Sequence, residues 1–463
     1  MKDFNILDYG ASSDGVSLST KAVQDTIDAC SANGGGRVVI PDGVFVLSTV
    51  FLKDNVTIYL EKNAKVLGSL NFSDYAPHEQ IDYPAYQDAS HTYFHTSMFV
   101  GIGLKNICIT GKGIIDMRSV WDDENIRKMA HRGAKTIALK NCNGVEISNV
   151  TVLNTTDLAI YFAGCEKVEV YGVKLRVYID GISPDNCKDV SIHDCDVETG
   201  DDGIVFKSSY TLNKLDVCKN VHVYNCRVKS RCNAVKFGTE TNGGFENFLI
   251  ENIDIRETRI TGLVIESVDG AIIDGITIRN IKMKNVQSCI FIHVGKRMRG
   301  PEGRKVGSIK NVTIENVVAD GPYVPYTAIE WNYGTFIEHD TLQAPWGFGG
   351  PKRFEKVGGA GPLVNWQMTS NVCGRKESPL ENIVLRNVEL NLDGGVKEYE
   401  KVVPEEPLCP TEIMVYGYIL PAKGIYFRHV NGLTLDNVKI KTYRPDARQT
   451  FVFEKVQNLV IKD

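Results

Sequence analysis

Residues 145–150 read VEISNV, and this short phrase decides the fold because it recurs along the chain. Residues 221–226 read VHVYNC and residues 276–281 read ITIRNI, so apolar residues alternate with other residues before an Asn. Alternation with a period of two and an excess of β-branched residues are typical of short strands. Further copies end at Asn252, Asn316, Asn387 and Asn437, and degenerate copies carry Gly172 and Asp194 at the Asn position.

The spacing of the phrase indicates the architecture. The tightest spacings are 23 residues, from Asn149 to Gly172, and 22 residues, from Gly172 to Asp194. A repeat of this length holds three short strands at about 3.3 Å per residue, and Asn tolerates the left-handed conformation between them. The leucine-rich pattern is absent, and a propeller blade needs about 40 residues. We therefore predict an all-β fold, a right-handed parallel β-helix, whose longer spacings come from loops inserted at one fixed corner.

A repeat array grows without splitting, so we predict a single domain over residues 1–463. Residues 1–60 are predicted to form an N-terminal cap and the first coils. Within them, residues 19–31 are predicted to form a helix that begins at Ser19 or Thr20, ends before Gly34, and covers the open end of the solenoid.

Two stretches, residues 72–98 and 319–377, interrupt the repeat and are rich in aromatic residues. Long insertions on a rigid scaffold often form binding walls, and we interpret at least one of the two in this way. The alternative is that their aromatic residues only pack the loops onto the solenoid.

Composition excludes several classes of partner. The net charge of −5 and the pI near 6.0 do not favour nucleic acid or an anionic membrane surface. The sequence has no apolar run of about 18 residues, so no membrane-spanning helix is expected. No hydrophobic leader follows Met1, so we expect a cytoplasmic protein as the sequence stands, or a secreted or periplasmic one if a leader was removed. These features do not indicate an oligomeric state.

Four of the twelve cysteines, Cys142, Cys165, Cys187 and Cys218, each stand three residues before a strand Val. One cysteine at the same place in successive repeats predicts a ladder of buried thiols, because cysteine is among the most buried residue types. Disulfides are the alternative, and a secretory context for them is not visible. The spacings do not suit zinc, so we expect neither a metal nor a cofactor.

Asp180-Gly181-Ile182 and Asp202-Gly203-Ile204 lie one repeat apart, and Asp201 directly precedes the second tripeptide. If each repeat is one turn of the solenoid, three carboxylates converge on one patch of surface. Clustered carboxylates with pKa values pushed apart are what acid–base hydrolysis of a glycosidic bond requires. We interpret the remaining candidates more plainly, as turn aspartates (Asp185, Asp189 and Asp194) and a surface pair (Arg428-His429).

The sequence around these aspartates resembles glycoside hydrolase family 28, the polygalacturonase-like parallel β-helices. The resemblance rests on residues 180–187 and 199–204, on residues 8–15, and on residues 34–41. It implies an inverting mechanism with Asp201 as general acid and Asp180 with Asp202 as the base. In that mechanism a gap of about 6.5–9.5 Å between the carboxyl groups leaves room for the attacking water.

The chain departs from the family motifs at several positions. Asn233 stands where the family has histidine, and Val264 and Glu266 stand where it has an arginine and a lysine. The resemblance implies that the lost cations hold a galacturonate carboxylate. Either the neighbouring sugar is therefore neutral, as rhamnose is, or other cations bind it. The candidate cations are Lys207, Arg231 and Lys236, and the alternative for each lysine is a solvated charge at a strand edge.

We expect the substrate to contact Asn233, Lys236, Lys207 and Glu266. The predicted function is inverting hydrolysis of a galacturonate-containing pectic polysaccharide or oligosaccharide, with rhamnogalacturonan or an exo-acting galacturonidase as its two forms. Two other readings remain open. One is a pectate-lyase-like enzyme, which needs Ca²⁺ and an arginine base. The other is a non-catalytic carbohydrate-binding β-helix.

Overall fold

The computed structural model describes residues 1–119, 133–323, 368–397 and 420–463. These residues divide into two compact units. The first comprises Met1–Gly200 and Thr211–Lys214, and the second comprises Asp201–Tyr210 and the residues from Leu215 onward. The expectation of a single domain over residues 1–463 stays a prediction.

The described part of the first unit contains helices α1 (Thr20–Ala32) and α2 (Ala89–Thr92) and two 3-10 helices (Ile6–Tyr9 and Phe72–Asp74). Its strands are β1 (Asp3–Asn5), β2 (Asp14–Leu18), β3 (Gly36–Ile40), β4 (Gly43–Leu47), β5 (Val50–Phe51), β6 (Val56–Leu60), β7 (Ala64–Gly68), β8 (Ser97–Ile102), β9 (Lys105–Gly111), β10 (Ile114–Asp116), β11 (Lys135–Lys140), β12 (Asn143–Ser148), β13 (Thr151–Leu153), β14 (Ile160–Ala163), β15 (Glu166–Tyr171), β16 (Lys174–Val177), β17 (Ile182–Asp185), β18 (Lys188–His193) and β19 (Asp196–Thr199).

Three strands make one coil of the first unit, and each pairs in parallel with its counterpart in the next coil. Strand β11 pairs with β8 and β14, β12 pairs with β9 and β15, and β13 pairs with β10 and β16. The register joins Val145 to Val168 and Val168 to Val190. The coil lengths of 23 and 22 residues are therefore those that the sequence spacing predicted, and the unit is a parallel β-helix.

The second unit is built from longer strands. They are β20 (Ile204–Ser208), β21 (Val217–Tyr224), β22 (Arg227–Ser230), β23 (Asn233–Thr241), β24 (Gly244–Arg256), β25 (Thr261–Ser267), β26 (Ile272–Lys284), β27 (Ser288–Val294), β28 (Ser308–Asp320), β29 (Ser370–Cys373), β30 (Leu380–Gly394), β31 (Ala422–Arg444) and β32 (Gln449–Lys462). One parallel row runs β20, β23, β25, β27, and another runs β24, β26, β28, β30. Both β21 and β22 pair with β24, so two short strands of one coil continue as a single strand in the next.

The asparagines of the repeat occupy the predicted left-handed corners. Asn252 and Asn280 both have φ of 57°. The side-chain amide of Asn280 donates to Asn252 Oδ1 at 3.1 Å, and that of Asn316 donates to Asn280 Oδ1 at 3.1 Å. Asn can adopt this backbone conformation at little cost, and its side-chain amide forms a hydrogen bond with the corresponding asparagine of the next coil. The sequence phrase is therefore a corner signal, and its asparagine side chains form a ladder of hydrogen bonds from coil to coil.

Replacing Asn280 by alanine is expected to lower the free energy of unfolding by about 1–2 kcal/mol. Alanine is strained in the left-handed backbone conformation, and it removes both side-chain hydrogen bonds that Asn280 makes in the ladder. The matched variant Asn280→Gly breaks the same bonds but keeps the backbone freedom, so we expect it to fall between alanine and the wild type. Denaturant titration measures both, and an alanine variant as stable as the glycine variant would contradict the corner argument.

The N-terminal helix forms where the sequence predicts it, with Ala22, Val23, Ile27 and Cys30 buried. It packs against β3, β5 and β6 of the first coils, as expected for a cap. The capping detail differs, because the hydroxyl of Ser19 accepts from the backbone N–H of Ser12 at 2.9 Å rather than from its own helix.

Loops enter at more than one corner, so the prediction of one fixed corner is wrong. Residues 69–96 join β7 to β8, from the last strand of one coil to the first strand of the next in the first unit, whereas residues 295–307 join β27 to β28 within one coil of the second unit. In the aromatic-rich stretch of residues 72–98, Phe94 stacks on Tyr161 with 5.2 Å between ring centroids, which packs this loop onto the coils. Most of residues 319–377, including Trp331, Trp346 and Trp366, lie outside the described residues.

The prediction of buried free thiols is confirmed. Cys142, Cys165, Cys187 and Cys218 are buried and unbridged. The backbone N–H of Cys142 donates to Cys165 Sγ at 3.4 Å, and burial raises the pKa of the Cys165 thiol well above its usual value. Within the described ranges, no helix has the length and apolar character needed to cross a bilayer.

Candidate active site

Asp201 and Asp202 lie in the turn that leads into β20. The hydroxyl of Ser230 donates to the backbone carbonyl of Asp201 at 2.6 Å, and Gly203 N–H donates to the carbonyl of Asn233 at 2.8 Å. A Cβ at Gly203 would lie 2.6 Å from the carbonyl oxygen of Ala234, so only glycine allows this close approach to the next coil. The turn therefore holds the two aspartates at a fixed place beside β23.

Two side chains of β23 bind the carboxylate of Asp202, which is only 4% exposed. The amide of Asn233 donates to Oδ1 at 2.8 Å, and the ammonium of Lys236 lies 3.0 Å from Oδ2. Each oxygen of Asp202 therefore has a donor, and the carboxylate is fixed in orientation. Asn233, predicted at the position of the family's histidine, contacts one of the predicted catalytic residues directly.

Lys236 also lies 3.9 Å from Oε1 of Glu266, so two carboxylates flank one ammonium group. Lys236 is 2% exposed and Glu266 is fully buried. The alternative of a solvated charge at a strand edge is therefore wrong for Lys236. A buried ammonium group is stable only where carboxylates compensate it, and the three side chains form one electrostatic unit.

The positions at which the family has two cations carry none here. Val264 lies in an apolar cluster with Phe291 and Tyr426. Glu266 extends a carboxylate towards Lys236 instead of offering a positive charge. The departure noted in the sequence is therefore a real change in the chemistry of the site.

Lys207 is likewise buried and paired, so the solvated alternative is wrong for it too. Its ammonium lies 3.0 Å from Oε2 of Glu240, and the other oxygen of Glu240 accepts from Arg299. Arg297 binds Asp269 through Nε at 2.9 Å. We did not predict Glu240, Asp269, Arg297 and Arg299 from the sequence, although five cations among residues 296–305 were a usable signal.

Asp180 belongs to the first unit, where it is 4% exposed in the turn before β17. Its carbonyl oxygen accepts from Ala159 N–H at 3.0 Å. The convergence of Asp180 with Asp201 and Asp202 stays a prediction. Asp185 is fully buried at the end of β17, and Tyr161 donates to it at 2.9 Å. Its exclusion from the catalytic set stays a prediction.

Arg428 corrects another expectation. Its side chain is buried, with the guanidinium 5.8 Å from the ring centroid of Tyr426, so the Arg428-His429 pair is not an ordinary surface pair.

Asp201, Asp202 and Cys232 place ligand atoms within 4.8 Å of one another, which is close enough for a metal ion. Donors compete for the same atoms, because Asn233 and Lys236 bind the oxygens of Asp202 and the Asn233 amide donates to Cys232 Sγ at 3.1 Å. A cation at this point would meet the Lys236 ammonium at close range. The donor set therefore suits acid–base chemistry better than a Ca²⁺ site.

His293 lies one coil beyond Glu266 in the same register row. Burial and the nearby Arg375 and Arg428 lower the pKa of His293 from 6.5 to about 3. The unfolded chain therefore binds more protons than the folded chain between pH 6.5 and about 3, so stability falls as the pH falls through this window.

We expect His293 alone to remove about 2 kcal/mol of stability between pH 6 and pH 4. Denaturant titration at several pH values of the wild type and His293→Gln measures this contribution as a difference in slope. Equal slopes for wild type and His293→Gln would rule out the assigned contribution.

Comparison with known proteins shows which family and which relatives the chain resembles. The family model for glycosyl hydrolases family 28 matches residues 30–322. An exo-poly-alpha-D-galacturonosidase from Dickeya chrysanthemi is 28% identical over 391 residues, covering 70% of this chain and 64% of the relative. A probable polygalacturonase from Vitis vinifera is 27% identical over 267 residues, covering 54% of each chain.

The chain thus spans less than two thirds of the length of both curated relatives. A solved structure, the family 28 exopolygalacturonase of Yersinia enterocolitica, superposes with a TM-score of 0.70 at 20% identity and covers 99% of this chain and 78% of its own. That likeness supports the parallel β-helix fold. Because the family model matches well over half of the chain, this protein belongs to glycosyl hydrolase family 28.

Proposed function

We propose that this protein hydrolyses the glycosidic bonds of a galacturonate-containing pectic polysaccharide or oligosaccharide with inversion of configuration. The observation that carries the proposal is the Asp201–Asp202 pair, in which Asn233 and Lys236 fix the carboxylate of Asp202. Family membership adds the reaction class. A carbohydrate is accordingly the expected partner.

The roles follow from what hydrolysis needs. Asp201 is half-buried and protonates the leaving glycosidic oxygen as general acid. Asp202 acts as the base that activates water, because an anionic carboxylate with two fixed donors is oriented without being able to give a proton. The family motif assigns Asp180 to the base with Asp202. In an inverting enzyme the acid and base flank the bond at about 6.5–9.5 Å, with the water between base and sugar.

We propose exo-action as the finer form of this activity. The relatives from Dickeya chrysanthemi and Yersinia enterocolitica are both named as exo-acting on polygalacturonate, and exo-action fits a chain with long insertions. The expected product from a galacturonate oligomer is then one short unit released from a single end, rather than a ladder of fragments.

Product analysis by NMR tests the proposal, with oligomers of galacturonate and of the rhamnogalacturonan backbone as the two substrates. We expect the wild type to release product whose new reducing end first appears in the inverted configuration, and Asp201→Asn to release about 10³-fold less product in the same time. Retained configuration would overturn the mechanism. An unsaturated product that requires Ca²⁺ would establish the lyase-like alternative, and binding without any cleavage would establish the non-catalytic one.

A further inference from the structure

The loop between β27 and β28, residues 295–307, carries an excess of positive charge next to the predicted site. Five of its residues are cationic and one is acidic, namely Lys296, Arg297, Arg299, Arg304 and Lys305 against Glu302. Three of these cations are at least partly buried, namely Arg297, Arg299 and Arg304. Half-buried guanidinium groups need anions or acceptors around them, so their partners indicate what the loop does.

The acidic side chains beside the loop are already engaged. Glu240 binds Lys207 at 3.0 Å with one oxygen and Arg299 with the other. Asp269 is fully buried and accepts from Arg297 Nε at 2.9 Å and from the backbone N–H of Arg299 at 2.8 Å. These two carboxylates therefore hold the loop in place, and they balance only part of its charge.

Arg304 carries much of the remaining charge. It donates to the carbonyl oxygen of Asn242, a neutral acceptor, and burial lowers its pKa from the usual value. Among the described residues, Nη1 of Arg304 and Nε of Arg299 are buried and make no hydrogen bond. Lys207, Arg297 and Arg299 lie against the carboxylates of Glu240 and Asp269, and Glu266, which also faces Lys236, acts electrostatically on Arg297. An anion with oxygen acceptors that binds the exposed parts of these half-buried guanidinium groups would balance their charge.

The cluster lies along the strands that carry the predicted active site. Lys207 is on β20, which follows Asp202, and Glu240 is on β23, four residues beyond Lys236. That separation is less than the roughly 13 Å of a regular strand, because the register of β23 shifts against β20 between Phe237 and Thr241. Glu266 also interacts electrostatically with Arg297. The basic cluster is therefore within reach of a sugar chain whose cleaved bond lies at Asp202.

We propose that Arg299 and Arg304, backed by Lys207 and Arg297, bind the carboxylate of a uronic acid residue of the substrate. The inference rests on the proposed function and deepens it, because it selects an acidic sugar over a neutral one and names the groups that recognise it. Lys236 is committed to Asp202 and Glu266, and Val264 is apolar, so neither takes this role. Planar guanidinium groups bind a carboxylate through two parallel hydrogen bonds, which a lysine cannot match.

Kinetics on two matched substrates test the assignment, galacturonate oligomers and the same oligomers methyl-esterified to remove the charge. We expect Arg304→Gln to raise KM for the acidic oligomers about tenfold, with kcat within twofold of wild type, and to leave the esterified oligomers unaffected. Arg304→Lys keeps the charge and is expected to recover part of the affinity. Lys305→Gln removes an exposed charge from the same loop and is the control for a general electrostatic effect.

Calorimetric titration with digalacturonate separates this inference from the proposed function, because it needs no turnover. Binding by wild type that Arg304→Gln weakens, and that inorganic phosphate does not compete at equal concentration, supports a built uronate site even if no hydrolysis is found. Unchanged binding and unchanged KM in Arg304→Gln would overturn the assignment. Equally strong binding of phosphate would assign the cluster to free anions instead of substrate.

Discussion

Replacing Asp201 by asparagine is expected to lower kcat about 10³-fold, because an amide cannot protonate the leaving oxygen. The backbone around Asp201 is expected to stay in place, since Ser230 donates to its carbonyl oxygen and not to the carboxyl group that the substitution changes. Initial rates on galacturonate oligomers measure the loss, and an unchanged melting temperature shows that the fold is intact.

A matched control is available at Asp194. This aspartate has φ of 54° at a corner of the first unit, where asparagine is equally suited. Asp194→Asn removes the same charge by the same chemical change, and we expect it to keep wild-type kcat. Wild-type turnover by Asp201→Asn would remove Asp201 from the mechanism.

The leaving group distinguishes an acid from a base. A nitrophenolate departs without protonation, so Asp201→Asn is expected to retain more of its rate on a nitrophenyl glycoside than on an oligomer. A variant of the base gains nothing from a better leaving group, because its deficit is in activating water. If Asp201→Asn were equally slow on both substrates, the assignment of the acid and base roles would have to be reversed.

The fold was predictable because its signals are local. A left-handed corner needs a residue that tolerates it, so Asn252 and Asn280 report the turn from sequence alone. The period of the phrase then gives the coil, as the pairing of Val145 with Val168 confirms. The merging of short strands into β24 was not predictable, because the corner asparagines persist inside the longer strand.

The site was only partly predictable because its contacts are not local. Asp202 stood out as part of a repeated tripeptide, but its bond to Lys236 joins residues 34 positions apart in neighbouring coils. Lys236 looks like any strand lysine in the sequence, and only its burial between Asp202 and Glu266 distinguishes it. The same holds for Glu240 and Asp269, which become meaningful once the basic loop lies against them.

Lys236→Met is expected to lower the free energy of unfolding by about 3–5 kcal/mol, the usual cost of leaving a buried charge without its partner. The substitution keeps the length and apolar stem of the side chain but removes the ammonium group. Asp202 and Glu266, both buried, then face each other's charge without a cation between them. Denaturant titration at pH 7 measures the effect. Glu266→Gln leaves the 3.0 Å ion pair between Lys236 and Asp202 intact, so we expect it to lower the free energy of unfolding much less.

The double variant Lys236→Met/Glu266→Gln shows whether the three side chains act as one unit. Lys236→Met leaves the carboxylate of Glu266 uncompensated, so replacing Glu266 by Gln is expected to restore part of the stability that Lys236→Met loses. The double variant then loses less stability than the sum of the two single variants. Additive losses would mean that the 3.9 Å contact between Lys236 and Glu266 carries no energy.

Kinetics of Lys236→Met then separates its two predicted roles. Orientation of Asp202 predicts a fall in kcat on acidic and esterified oligomers alike, whereas direct substrate binding predicts a rise in KM for the acidic oligomers only.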